Sequence, residues 1–256
     1  MSDRRLTDAQ VIEFFHLAFL QVLQARLDQS RYVLKGGTNL RYFFGSLRYS
    51  EDIDLDAVEI EPWKLEAKID EVLTSPAMEI LLRSGGLELD QVTKPKQTPT
   101  TQRWKPMLTV AGRSSNVRTK IEFSHRSADS RRVLEAVLER VVAPYALRPP
   151  TVLHYTASAA IEQKVAALAH RSETQARDLF DLELLLRLHP AAVTAGAIAP
   201  NTLDVAVERA FELPFQAFQD QVVRFLDAEI VDLYDNPTAW ARTQSFVAER
   251  LMELRP

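Results

Sequence analysis

Apolar positions recur at helical spacing near the start of the chain. Val11, Phe14, Phe15, Ala18, Phe19, Val22 and Leu23 follow the rhythm of one helix face. Thr7 and Gln10 stand where a capping box opens such a helix, at N-cap and N3. The pattern predicts a helix from residue 8 to near residue 28, covering a sheet. Residues 32–34 are wholly apolar and predict a short buried strand, which Gly36-Gly37 breaks. Residues 38–44 predict a short helix with its exit at Gly45-Ser46. Residues 52–58 alternate acid and aliphatic and predict the next strand. Pro62 opens a helix with Trp63, Leu65, Ile69, Val72 and Leu73 on its apolar side, continued past Pro76 by Met78, Ile80, Leu81 and Leu82.

Alternation over residues 87–92, 102–110 and 117–123 predicts three more strands. The run 94–100, Lys-Pro-Lys-Gln-Thr-Pro-Thr, reads as a flexible loop. Pro144 and Pro149-Pro150 mark a linker. Beyond it, helices are predicted over 159–169, 174–188, 202–211, 214–226 and 237–254. The fold class is α+β, with a strand-rich part at 1–148 and a helical part at 149–256.

Composition narrows the function. The 256 residues suffice for one large domain or two small ones, and 46% hydrophobic with 26% charged residues is ordinary for a soluble globular protein. No apolar run reaches about 18 residues, so no membrane span is expected, and the N-terminus lacks the apolar core of a signal peptide. A cytoplasmic location is the default expectation. With no cysteine, disulfides, thiolate metal sites and cysteine nucleophiles are excluded. The net charge of −4 argues against a protein that coats nucleic acid but leaves room for a local basic surface. Residues 91–121 hold no acid, yet contain Lys94, Lys96, Arg103, Lys105, Arg113, Arg118 and Lys120. This window is either a solvated sheet face or a track for a polyanion.

Two signals carry the chemistry. Gly36-Gly37-Thr38 ends a strand and opens a helix, so backbone N–H groups and the Thr38 hydroxyl can meet a phosphate. On the next strand Asp52 and Asp54 share one face, while Ile53 and Leu55 face the core. Two adjacent carboxylates repel unless a cation lies between them, and such oxygen ligands suit Mg²⁺. Glu122, between Ile121 and Phe123, is the best third carboxylate; Asp56 competes, and an arginine across the sheet is the plainer partner for Glu122.

These residues resemble the nucleotidyltransferase superfamily with a polymerase-β-type palm. Lys35-Gly36-Gly37-Thr38 and Arg48-Tyr49-Ser50-Glu51-Asp52-Ile53-Asp54-Leu55 resemble the AbiEii/AbiGii toxin family more narrowly. The similarity continues at Lys120-Ile121-Glu122-Phe123-Ser124, at 161–168 around Lys164, and at Arg177-Asp178-Leu179-Phe180-Asp181-Leu182. The resemblance implies a palm with a mixed sheet flanked by helices, followed by a helical domain that completes the active-site cleft. It implies metal binding by Asp52, Asp54 and Glu122, and a triphosphate held by Gly36, Gly37 and Thr38. It adds Arg48, Ser50 and Lys164 to nucleotide binding, and Lys164 and Asp178 to catalysis beside Asp52 and Asp54. Arg41 is a further candidate for phosphate contact. The implied cofactor is Mg²⁺, with Mn²⁺ as a substitute, and NTP is the substrate. The implied partners are an RNA acceptor, such as a tRNA 3′ end, and a cognate antitoxin. The window 91–121 is then the place for RNA contact. Two rivals stand beside this reading. One is a metal-dependent nuclease, for which Glu162-x-Lys164 would have to lie on a core strand. The other is a nucleotide-binding toxin that sequesters a partner.

Overall fold

The computed structural model describes residues 6–125 and 128–256. Thr7 caps α1 (Asp8–Leu23) as the sequence predicts: its hydroxyl accepts from the Gln10 N–H at 3.2 Å, and the Gln10 side chain accepts from the Thr7 N–H at 3.0 Å. The helix stops at Leu23 rather than near 28, because Asp28 takes the Ser30 N–H at 2.8 Å and starts a separate 3₁₀ turn.

The strand-rich unit comprises the chain up to Gly45 and Tyr49–Tyr155. After α1 it runs through β1 (Tyr32–Lys35), α2 (Gly36–Phe43), β2 (Asp52–Ala57), α3 (Pro62–Leu73), α4 (Pro76–Ser84), β3 (Leu87–Gln97), β4 (Thr101–Val110), β5 (Val117–Arg118), β6 (Lys120–Ser124), β7 (Arg132–Ala136), α5 (Glu139–Val142) and β8 (Thr151–Tyr155). Among the described residues the sheet is mixed and eight-stranded, in the order β3-β4-β6-β2-β1-β8-β7, with β5 paired to β4. β2 runs antiparallel to β1 and parallel to β6.

Alternation sorts this sheet into two faces. Leu34, Ile53, Leu55, Trp104, Leu108, Ile121 and Phe123 enter the core with α1 residues such as Phe14, Phe15 and Phe19. α1 is buried almost throughout and packs against α3, α4 and β5. The other face carries Asp52, Asp54, Lys120, Glu122, Arg103 and Lys105.

Several expectations change. The helix after β1 begins at Gly36, so the glycine pair forms its first turn instead of a separate break. Thr74 and Ser75 divide the helical stretch before Gly85, with Ser75 capping α4. The 94–100 loop is shorter than read, because β3 continues to Gln97; Pro95 is accommodated because β3 is an edge strand with a register shift between Thr93 and Lys96. Strand 117–123 is split at Thr119, whose hydroxyl donates to the Glu51 carbonyl at 2.7 Å. β7 and β8 were not legible. β7 is exposed on most of its length, and β8 follows the diproline read as a linker, where the Pro150 carbonyl accepts from Val137 N–H at 3.0 Å.

The helical unit comprises Ser46–Arg48 and Thr156–Pro256. Its helices are α6 (Ala157–His170), α7 (Ala176–Leu188), α8 (Pro200–Glu212), α9 (Phe215–Gln221), α10 (Ala228–Tyr234) and α11 (Pro237–Glu253). Helix 214–226 is thus shorter than read, and α10 was not foreseen. Phe218 stacks on Trp240 with ring centres 4.5 Å apart, and Phe180 and Tyr234 pack beside them. Among the described residues no helix is long and apolar enough to cross a membrane.

Trp104 tests the sheet core. It is fully buried, lies edge-on to Phe123 and donates its indole N–H to Asp70 at 2.9 Å. Trp104→Ala is expected to cost about 3–5 kcal/mol, read by denaturant unfolding.

Candidate active site

β2 is held at its start by hydroxyls. The Asp52 carbonyl accepts from the Thr38 hydroxyl at 2.8 Å and the Ser50 hydroxyl at 2.9 Å. The protons expected to serve a phosphate at Thr38 and Ser50 are therefore spent on positioning the carboxylate strand, although each oxygen keeps its lone pairs.

The first turn of α2 closes on Asp54. Gly36 has φ +71°, and a Cβ built there would lie 3.1 Å from Asp54 Oδ2. A side chain at this position would be strained and crowded at once, so glycine brings the helix start against the carboxylate. Gly37 and Thr38 follow in the same turn.

Register gathers the charges. Asp54 lies opposite Lys35 on β1 and Glu122 on β6, and Asp52 lies opposite Lys120. The Lys120 ammonium sits 3.0 Å from Asp52, 3.6 Å from Glu122 and 3.9 Å from Asp54. Arg103 takes the same Glu122 oxygen, Oε2, through Nε at 2.8 Å and a terminal nitrogen at 2.6 Å. Burial pushes the Asp54 carboxyl above its ordinary range; Lys120 pulls it back, and Asp52 and Glu122 add to the rise. Burial also acts to raise Glu122, but Lys120 and Arg103 more than offset it and hold the carboxyl low. Lys120 is disfavoured as a cation by burial, yet the three acids raise its pKa.

Asp56, the competing third carboxylate, is buried in an ion pair with Lys35 and accepts from the Tyr155 hydroxyl at 2.6 Å. Among the described residues no three or more His, Cys, Asp or Glu converge as a ready-made metal cage. Asp52 and Asp54 nevertheless fit a hard divalent cation: they are adjacent oxygen donors with a positive charge already beside them. Glu122 is committed to Arg103 and Lys120.

Arg48, Lys164 and Asp178 lie in a buried network of the helical unit. Arg48 forms a two-pronged pair with Asp181, at 3.1 Å and 2.8 Å. Lys164 reaches Asp178 at 2.7 Å and Asp181 at 2.6 Å, and Arg171 reaches Asp178 at 3.0 Å. Both aspartates have no solvent exposure. Burial alone would raise the Asp181 carboxyl, but Arg48 and Lys164 outweigh it and hold the pKa below its ordinary value. Arg41 is paired with Glu13 at 2.7 Å and lies over the Tyr49 ring. Glu162 and Lys164 lie on α6, not on a core strand as the nuclease alternative requires.

Lys120 was read as part of the basic window, not as a site residue, and Lys35 and Asp181 were not among the candidates. Lys120 stands two residues before Glu122 on a predicted strand, so alternation places both on one face. Asp181 is three residues from Asp178, neighbours on a helix.

A mixed sheet that presents two aspartates from one strand, against the glycine-rich start of a helix, defines a nucleotidyltransferase-type palm. The comparisons agree. The chain belongs to the nucleotidyl transferase AbiEii toxin family of type IV toxin–antitoxin systems, whose model matches residues 18–247. Two solved structures share the fold at 19% identity. JHP933 from Helicobacter pylori aligns over 98% of this chain and 93% of its own, with TM-score 0.59. A candidate nucleotidyltransferase from H. pylori aligns over 98% of this chain and 100% of its own, with TM-score 0.61. No curated protein matches.

Asp54 has a raised carboxyl pKa, so its ionised form opposes folding above that pKa and protonation relieves it. Asp54→Asn should raise the neutral-pH Tm of the ligand-free protein, by about 2–4 °C per kcal/mol relieved, and the gain should shrink as pH falls. Asp181 has the opposite sign: its contribution is present at neutral pH and is lost as pH falls through its lowered pKa. Asp181→Ala strands Arg48 and should cost about 3–5 kcal/mol in urea unfolding, with part recovered in Arg48→Met/Asp181→Leu.

Proposed function

We propose that this toxin-family nucleotidyltransferase transfers a nucleoside monophosphate from an NTP to a hydroxyl of RNA, with a tRNA 3′ end as the first acceptor to try. The carrying observation is the pairing of Asp52 and Asp54 beside the α2 N-terminus, in a chain of the AbiEii family.

Asp52 and Asp54 would hold Mg²⁺, with Mn²⁺ as a substitute, and Glu122 would be the nearby third acid. When bound, the metal would supply charge stabilisation at the attacking and leaving oxygens. The backbone N–H groups at Gly36 and Gly37 would receive phosphate oxygens, favoured by the helix dipole. Thr38 and Ser50 hold the Asp52 backbone so that both carboxylates stay on the open face. Lys120 offsets part of the acids' charge. The acceptor oxygen bonds to the α-phosphorus, the α–β bridging bond breaks, pyrophosphate leaves and the hydroxyl proton is released. Such a reaction asks the protein mainly to position and neutralise charge. A cognate antitoxin would be the physiological partner, as the toxin–antitoxin family implies.

The test is incubation with each α-labelled NTP, Mg²⁺ and total RNA. The wild-type chain should label RNA, and Asp54→Ala should lower the rate about a hundredfold or more, since metal-held charge stabilisation is worth several kcal/mol. Absence of transferred label with every NTP would overturn the reading. RNA shortened without NTP would favour the nuclease instead.

A further inference from the structure

The acid-free window supplies seven cations, and the structure sorts them. Lys94 is held by Glu66 at 2.6 Å and Asp70 at 2.9 Å. Arg103 is held by Glu122, Arg113 by Asp8, and Lys120 by the carboxylates of the site. Lys96, Lys105 and Arg118 have no acidic partner among the described residues. Two of these three, Lys105 and Arg118, line one cavity of about 480 Å³ whose wall also includes Glu51, Asp52 and Lys120.

The sheet explains why they meet. Arg103, Lys105 and Met107 alternate onto one face of β4. Thr93 and Gln91 of β3 lie opposite Lys105 and Met107, and Arg118 of β5 lies opposite Met107. Asp52 joins the same wall through Lys120. The cavity is therefore mixed in charge: Lys105 and Arg118 have no acidic partner among the described residues, Glu51 and Asp52 supply acids, and Lys120 and Arg103, each paired with an acid of the site, line it as well. Its volume lies within the range of about 300–1,000 Å³ typical of small-ligand pockets, suited to one nucleotide-sized group and too small for a duplex. Met107 and Pro106 add apolar surface for a ribose or base, and Gln91 and Thr93 add hydrogen-bonding groups.

We propose that this cavity is the acceptor subsite: it takes the hydroxyl-bearing 3′-terminal nucleotide of a single-stranded RNA, whose last phosphodiesters bind Lys105 and Arg118. The proposal rests on the transfer reading above and gives it a direction. A phosphodiester is repelled by Glu51 and attracted by Lys105 and Arg118, while the charge of Asp52 is largely met by Lys120. The uncharged terminal hydroxyls thus face the carboxylates, where the transferred group would be received. Lys94 and Arg103 have their charge met by acids and contribute little, although they lie in the same basic window.

The experiment measures binding of a short fluorescent single-stranded RNA without NTP, over a series of salt concentrations. Lys105→Gln/Arg118→Gln should weaken binding about tenfold at low salt. It should also reduce the slope of log affinity against log salt by about 1.4, at about 0.7 per lost phosphate contact on a single strand. Lys96→Gln, which removes an unpaired cation outside the cavity, should leave both unchanged. The same RNA ending in a 3′-phosphate should bind about tenfold more weakly, through repulsion at the acidic end. NTP affinity of the double variant should stay at the wild-type value.

Equal weakening by Lys96→Gln would mean diffuse attraction and overturn the subsite. A loss of NTP affinity instead of RNA affinity would assign the cavity to the triphosphate and overturn it as well. If the wild-type chain labels RNA and the double variant binds it normally, the subsite falls and the transfer reading stands. If the wild-type chain neither binds nor labels RNA, both fall.

Discussion

Three carboxylates on one face of two adjacent strands repel each other, and much of the surrounding structure absorbs that repulsion. Asp52, Asp54 and Glu122 cannot turn away, because Ile53, Leu55, Ile121 and Phe123 alternate with them and are fully buried. Burial of the aliphatic face sets the register, and the register sets the acids side by side. Lys120 reaches all three, Lys35 stands opposite Asp54 and Arg103 closes on Glu122. The charge balance is uneven. Glu122 has two cations and a lowered pKa, while Asp54, with Lys120 at 3.9 Å, has a raised one. Negative charge is therefore less fully met at Asp54 than at Glu122.

The helical unit meets a similar constraint by different means. Asp178 and Asp181 are completely buried, and burying two charges is costly unless they are paired. Arg48, Lys164 and Arg171 supply the pairs. Arg48 comes from a segment far away in sequence. That is why Ser46–Arg48 belongs by its contacts with the helices and not with the strands on either side of it. The guanidinium fork suits this role, since two parallel bonds fix the carboxylate plane as well as its charge.

Local chemistry made part of this protein legible in its residues. The Thr7 cap, the helix from residue 8, the strands around residues 32 and 52, and the main helices after residue 156 all follow from periodicity and capping. The family was also legible, because its marks are short and ordered along the chain. The failures share one cause: they depend on partners distant in sequence. β7 and β8 are too short and too close to prolines to signal themselves, and they exist because β1 offers β8 an edge, which β8 in turn offers β7. Asp56 reads like Asp54 in sequence, yet Lys35 and Tyr155 take it up. Arg41 and Arg48 read as phosphate ligands, yet buried acids hold both.

The sequence by itself determined the alternation that puts Asp52, Asp54 and Glu122 on one strand face each, the glycine pair that opens α2, and the absence of cysteine chemistry. These are properties of neighbouring residues, fixed by the period of a strand or the first turn of a helix. Only the tertiary structure decided which charges are spent and which remain. It placed Lys120 among the acids, paired Lys94 and Arg103, and left Lys105 and Arg118 without an acidic partner among the described residues, in the wall of a cavity that Asp52 also lines. A cation's availability depends on every acid within a few ångströms, and those acids arrive from strands and helices whose order along the chain does not reveal their distance.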